Sequence, residues 1–159
     1  MEPDDWAVLE LSSFQLMTMD LSPEIAVVTN LAPNHLDVHT SMEEYTAAKK
    51  NIFLHQGTAD RAVFNYDNEI TREFLEETPG RAVSFSLRQE LSQGVYGKDG
   101  AIWVANDQGR RSVLPLDGIL LPGEHNVENY MAAIAAVDGM VPDEVIRKFA
   151  AEFGGVEHR

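Results

Sequence analysis

The segment TNLAPNHLDVHTSMEEYTAAKK, residues 29–50, holds three metal-ligand side chains, His35, Asp37 and His39, and closes on lysines. Their i, i+2, i+4 spacing aligns all three on one face of an extended chain and brings the two histidines together on a helix, so either geometry allows a shared ion. Two imidazoles and a carboxylate also suit zinc, which makes a zinc hydrolase one option. Pro33 and Asn34 equally mark a loop, where histidine and aspartate cap a helix or stay solvated. Lys49 is the unexpected member. On a helix with about 3.6 residues per turn, Tyr45, Ala48, Lys49 and Ile52 share one side, while Lys50 points about 100° away. A lysine on that stripe either lays its stem on apolar surface with the ammonium in water, or serves a site.

Glu10 stands near the polar end of the apolar run WAVLEL, where α/β sheets gather ligands at their carboxyl edge; a hydrogen bond to a nearby loop would explain it equally well. Asn126 and Asn129 fall about one turn apart near the start of a predicted helix. Amides and unpaired backbone N–H groups at such a place hold an anion or a base edge, or merely cap the helix.

The elements that position these groups alternate. WAVLEL (residues 6–11) and EIAVVTN (24–30) are short, nearly continuous apolar runs, as in buried parallel strands. Ser41 with Glu44 three residues later has capping-box spacing, so a helix is expected to begin there. RAVFNY (61–66) reads as a strand, NEITREFLEET (68–78) as a helix closed by Pro79-Gly80, and RAVSFSL (81–87) as a strand. Asp99-Gly100 and Gln108-Gly109 then separate three apolar runs, predicting an antiparallel meander at one edge of the fold. GEHNVENYMAAIAAV and PDEVIRKFAAEF read as helices, Pro142 suiting a first turn, and Gly154 and Gly155 as a hinge. The alternation predicts an α/β fold, a mostly parallel sheet flanked by helices.

The 159 residues are enough for one domain with its own core. Asp and Glu number 26 against 12 Lys and Arg, a formal charge of -14, which argues against nucleic acid or anionic membranes as partners. An anionic small ligand remains compatible if a divalent cation reverses the local field. The chain has no cysteine, no basic and apolar leader at its start, and no apolar run of the roughly 18 residues that span a membrane, so it reads as a soluble cytoplasmic protein.

Four blocks, ELSSFQL, TNLAPNHLD-H with YTAAK, PGEHNVENYMAA and FGGVEHR, occur in an order that resembles the Mur ligase family and span nearly the whole chain. The NHLD and HNxxN blocks are shared with related ligases such as folylpolyglutamate synthase, while SSFQL points to the branch that adds D-glutamate. Val38, where many relatives carry arginine or tyrosine, is a mild departure. The resemblance implies the family's P-loop NTPase-like central domain, with residues 1–153 as part of it and 154–159 as linker towards a C-terminal domain. It implies an ATP-dependent amide ligase of peptidoglycan precursor synthesis, which phosphorylates a UDP-linked muramoyl carboxylate to an acyl phosphate that D-glutamate attacks. Glu10 and His35 would bind magnesium and Lys49 would be carbamylated, making Lys49 and His35 the catalytic pair. Asn126 and Asn129 would meet the adenine of ATP, Arg159 its phosphates, and Ser12 and Gln15 the UDP-linked substrate; His39 and Asp37 keep uncertain roles.

A buried lysine suits carbamylation, because only the neutral amine adds to carbon dioxide and the product is a carboxylate of the kind magnesium prefers. The family's glycine-rich phosphate loop, GxxGK[ST], does not occur in these residues. The expectation is therefore a central domain lacking its first strand and phosphate loop, inactive alone and prone to self-association through an exposed sheet edge. The contrasting expectation is a stand-alone metal- or nucleotide-binding or interaction domain without catalysis.

Overall fold

The computed structural model describes residues 5–32 and 41–156. Six strands form one sheet in chain order: β1 (Ile25–Val28), β2 (Arg61–Asn65), β3 (Arg81–Ser86), β4 (Gly94–Lys98), β5 (Ala101–Asn106) and β6 (Gly109–Pro115). The first four run parallel, and β5 and β6 are antiparallel additions at one edge, so the predicted α/β sheet and its meander are both present. The β4–β5 turn places Asp99 at φ 48° and Gly100 at φ 72°, the left-handed pair that a two-residue hairpin requires.

Side-chain alternation sorts the two faces. In register, Ala26 and Ala62 face one way and Val27, Val63 and Val83 the other. The first set, with Val28 and Phe64, packs under α2 (Met42–Leu54) and α3 (Glu69–Glu77). There Phe53, Phe64 and Phe74 meet with ring centroids 5.1, 5.3 and 5.8 Å apart. The second set packs against α4 (Glu124–Val137) and α5 (Asp143–Glu152). The result is three layers, with helices on both faces of the sheet.

The helix expected after Ser41 starts there, and Asn68, read as the first residue of the next helix, is its N-cap. Ser41 Oγ accepts from Glu44 N, and Asn68 Oδ1 accepts from Thr71 N. Pro142 sits one place earlier than expected, as the N-cap of α5. Gly123 caps α4 at φ 103°, a left-handed conformation that favours glycine.

Residues 6–11 depart from expectation: they form no strand. Trp6, Val8 and Leu9 are 64%, 95% and 73% exposed. Apolar composition permits a buried strand but does not supply a ladder, and none of the described strands pairs with this segment. It leads into a short helix, α1 (Ser13–Leu16), which the sequence reading did not anticipate. β1 has β2 on one side and, among the described strands, nothing on the other.

Candidate functional site

Two hydrogen bonds from side chains of α2 hold the N-terminal segment. Lys49 Nζ donates to the Leu11 carbonyl at 3.3 Å, and Asn51 Nδ2 donates to the Leu16 carbonyl at 2.9 Å. Tyr45 and Ala48 are buried and Ile52 and Lys49 half-buried, so the apolar stripe inferred from the sequence is real and Lys49 lies on it. Burial holds the Lys49 ammonium below its ordinary pKa. Lys50, on the other side of the helix, pairs with Glu77 at 2.7 Å. Lys49 thus reaches the residue that follows Glu10 in the chain, and Glu10 itself is exposed.

Ser12 and Gln15 form a reciprocal capping box at the start of α1. Ser12 N donates to Gln15 Oε1 at 2.9 Å, and Gln15 N donates to Ser12 Oγ at 3.3 Å. The S-x-x-Q spacing is itself the signature of a helix start and could have announced α1. The box engages the oxygen of the Gln15 amide and leaves its nitrogen able to donate elsewhere.

Asn126 and Asn129 lie in the first two turns of α4. Asn126 Nδ2 donates to the Pro122 carbonyl at 2.7 Å, which fixes the entry into the helix, and Asn129 is exposed. The C-terminal end of α4 is held by Arg61, at the first residue of β2. The helix therefore runs against the strands and presents its N-terminus towards their carboxyl edge. α2 runs the same way, since Gln56 just past its end donates to the Arg61 and Pro23 carbonyls at 2.9 Å each. Lys49 and the two asparagines consequently ride on helices covering opposite faces of the sheet.

His35, Asp37, His39 and Arg159 lie outside the described residues. Among the described residues no three His, Cys, Asp or Glu side chains converge to hold a metal ion.

Sequence reasoning missed Asp67, just past β2. Its carboxylate accepts from Ser86 Oγ at 2.6 Å, Leu87 N at 2.7 Å and Arg88 N at 3.2 Å, tying the β2 and β3 ends together at the carboxyl edge. The run Asn65-Tyr66-Asp67-Asn68, with three side chains able to bond backbone, was the available signal.

The three layers, with helices on both faces of a mostly parallel sheet, define the chain as an α/β domain. Residues 2–137 match the Mur ligase middle domain, and the chain belongs to the Mur ligase family. It is 54% identical over 155 residues to the UDP-N-acetylmuramoylalanine--D-glutamate ligase of Acetivibrio thermocellus, a match covering 98% of this chain and 33% of that protein. It is 51% identical over 156 residues to the ligase of the same name from Clostridium botulinum, again covering 98% and 33%. The chain thus spans about a third of the length of these curated relatives.

Among solved structures, MurF from Acinetobacter baumannii aligns at a TM-score of 0.63 and 25% identity, covering 86% of this chain and 30% of that one. The UDP-N-acetylmuramate:L-alanyl-gamma-D-glutamyl-meso-diaminopimelate ligase from Neisseria meningitides aligns at 0.64 and 20% identity, covering 85% and 41%. The second likeness is one of fold. Among the described residues no helix is long and apolar enough to cross a membrane.

Proposed function

We propose that this chain is the central part of an ATP-dependent, cytoplasmic ligase that joins D-glutamate to UDP-N-acetylmuramoyl-L-alanine in peptidoglycan precursor synthesis. One observation carries the reading: a half-buried lysine on an apolar stripe, its amine 3.3 Å from the carbonyl of the residue after Glu10. Relatives about half identical across almost the whole chain support the ligase over a stand-alone binding domain.

In this reading the neutral Lys49 amine, which its burial favours, would add to carbon dioxide with loss of a proton, and Glu10, His35 and the resulting carbamate would hold magnesium. The donor set fits a hard cation, with carboxylate-type oxygens from two residues held by α2 and the segment it tethers. Bound magnesium would offset the repulsion between the γ-phosphate and the substrate carboxylate. Asn126 and Asn129 would orient the adenine, and Arg159 would reach the nucleotide phosphates. The Gln15 amide nitrogen and Ser12 would face the UDP-linked substrate.

A cradle for the phosphates is still needed, and these 159 residues contain no GxxGK[ST] loop. We assign that loop to another part of the full-length protein and expect no turnover from this chain alone. An assay with ATP, magnesium, UDP-N-acetylmuramoyl-L-alanine and D-glutamate tests both statements. The full-length protein is expected to release phosphate and form the amide, and its Lys49→Ala variant to lose this activity. Turnover by the 159-residue chain would overturn its assignment as inactive. A full-length protein that ignores D-glutamate would overturn the assigned substrate.

A further inference from the structure

The end of the sheet remote from the proposed ligase site carries a second polar cleft. β3 pairs with β4 only through Phe85↔Val95 and Ser86↔Tyr96, so the first half of β3 has no ladder on its β4 side. A cavity of about 240 Å³ opens at this split, lined by Arg61, Arg81, Gln93, Asn106, Asp107 and Asp138 among others. Gly94 sets its mouth: at φ 121° it passes so close to the Ser84 carbonyl that a Cβ would lie 2.3 Å from that oxygen.

The charges of the lining are unevenly satisfied. Arg61 and Arg81 are register partners on adjacent parallel strands, so their side chains leave the same face side by side, an unfavourable pairing for like charges. Arg61 is occupied by three carbonyls at the C-terminal end of α4. The Asp138 carboxylate is taken by Arg111 and Asn106, while Asp107, exposed to solvent, accepts from the neutral Gln93 amide at 2.9 Å and keeps its charge. Among the described residues Arg81 has no ion-pair partner, although the chain as a whole carries a charge of -14.

We infer that this cleft binds a small anion, with the Arg81 guanidinium as its anchor and the unpaired β3 backbone beside it supplying N–H donors. Phosphate and carboxylate groups share the required chemistry, since each presents oxygens to a guanidinium fork. Arg61, directed into α4, contributes field rather than contact. The cleft lies at the amino edge of the strands, so an anion there is distinct from any nucleotide phosphate at the carboxyl edge.

The test uses the isotope-labelled 159-residue chain, titrated separately with sodium phosphate and sodium citrate at constant ionic strength while amide shifts are followed. Saturable shifts clustered at Ala82, Val83, Gly94 and Asn106 with either anion support the site, and the anion that saturates first names the preferred group. Arg81→Gln should weaken binding about fivefold, the upper range for an exposed charge pair, and Arg81→Lys should weaken it less. Because the Arg81 side chain is exposed and unpaired, loss of folding is not expected, and circular dichroism checks this. Unsaturable shifts with both anions, shifts centred elsewhere, or equal binding by folded Arg81→Gln would each overturn the inference.

Discussion

Arg61 is the residue whose replacement tests most directly how the helix bearing Asn126 and Asn129 is held. Its Nη1 donates to the Ala135 and Ala136 carbonyls at 3.2 and 2.6 Å, and its Nη2 to the Asp138 carbonyl at 3.1 Å. These are carbonyls that the last turn of a helix cannot satisfy internally, and the cation also sits at the negative end of the helix dipole. Burial, then the neighbouring Arg81 charge, hold the guanidinium below its ordinary pKa, with Asp138 opposing, so part of the gain offsets that cost. Three charge-assisted bonds at roughly 1–1.5 kcal/mol each, discounted for half-burial and for the relieved repulsion with Arg81, leave about 2–3 kcal/mol lost in Arg61→Met. For a domain of this size that lowers Tm by about 5–10 °C. Arg61→Lys should recover less than half, because one ammonium cannot span three carbonyls in the fork geometry. Urea unfolding gives the free energy, and amide exchange should quicken in the last turn of α4. A loss below about 0.5 kcal/mol with unchanged exchange would mean that water replaces the guanidinium freely and that α4 is held by its apolar face alone.

Three further outcomes follow from the same geometry. Asp67→Ala removes the acceptor for Ser86 Oγ, Leu87 N and Arg88 N, and should cost about 2–3 kcal/mol in urea unfolding, with Asp67→Asn recovering part of it. For Lys49 the folded chain binds its proton less tightly than the unfolded chain, so stability rises with pH once the folded lysine gives up its proton and levels off when the unfolded lysine, near pH 10.4, has titrated as well. The stability of Lys49→Met relative to the parent chain should accordingly decline from pH 7 to pH 10, and a pH-independent difference in unfolding free energy would contradict the burial. The open side of β1 should promote concentration-dependent self-association of the isolated chain, read by sedimentation velocity, and a monodisperse monomer at high concentration would count against it.

Most of the fold was legible because its strands are short apolar runs ended by polar residues, a pattern that survives without tertiary information. The hairpins were legible for a different reason: Asp99-Gly100 adopts the left-handed conformations its residue types favour, whatever lies around it. Residues 6–11 show the limit of the first argument. Val8 and Leu9 carry the composition of a buried strand, yet burial of a strand is a property of its neighbours, and the described sheet offers this segment none. The α1 cap and the Asp67 clasp were missed for the opposite reason, since both are local polar spacings overshadowed by more conspicuous ligand-like residues nearby.

The candidate site divides along the same line. Helical periodicity alone placed Lys49 on the inner stripe of α2, and the 3.3 Å bond to the Leu11 carbonyl bears this out. Periodicity cannot say which face of the sheet a helix covers; that depends on the handedness and order of the crossovers, and here it puts α2 and α4 on opposite faces. Groups on the two helices can therefore meet only around an edge of the sheet, and both helices start towards its carboxyl edge, where Asp67 binds the ends of β2 and β3. On the β1 side of that edge, Glu10 belongs to a segment attached through side chains of α2 rather than through a ladder. Hydrogen bonds of that kind contribute about a kcal/mol each, and the two pin the Leu11 and Leu16 carbonyls, so Glu10 lies just outside the stretch they hold. A strand that paired with residues 6–11 would therefore also set how closely Glu10 approaches Lys49, so that such pairing and the geometry of the proposed metal site would be coupled.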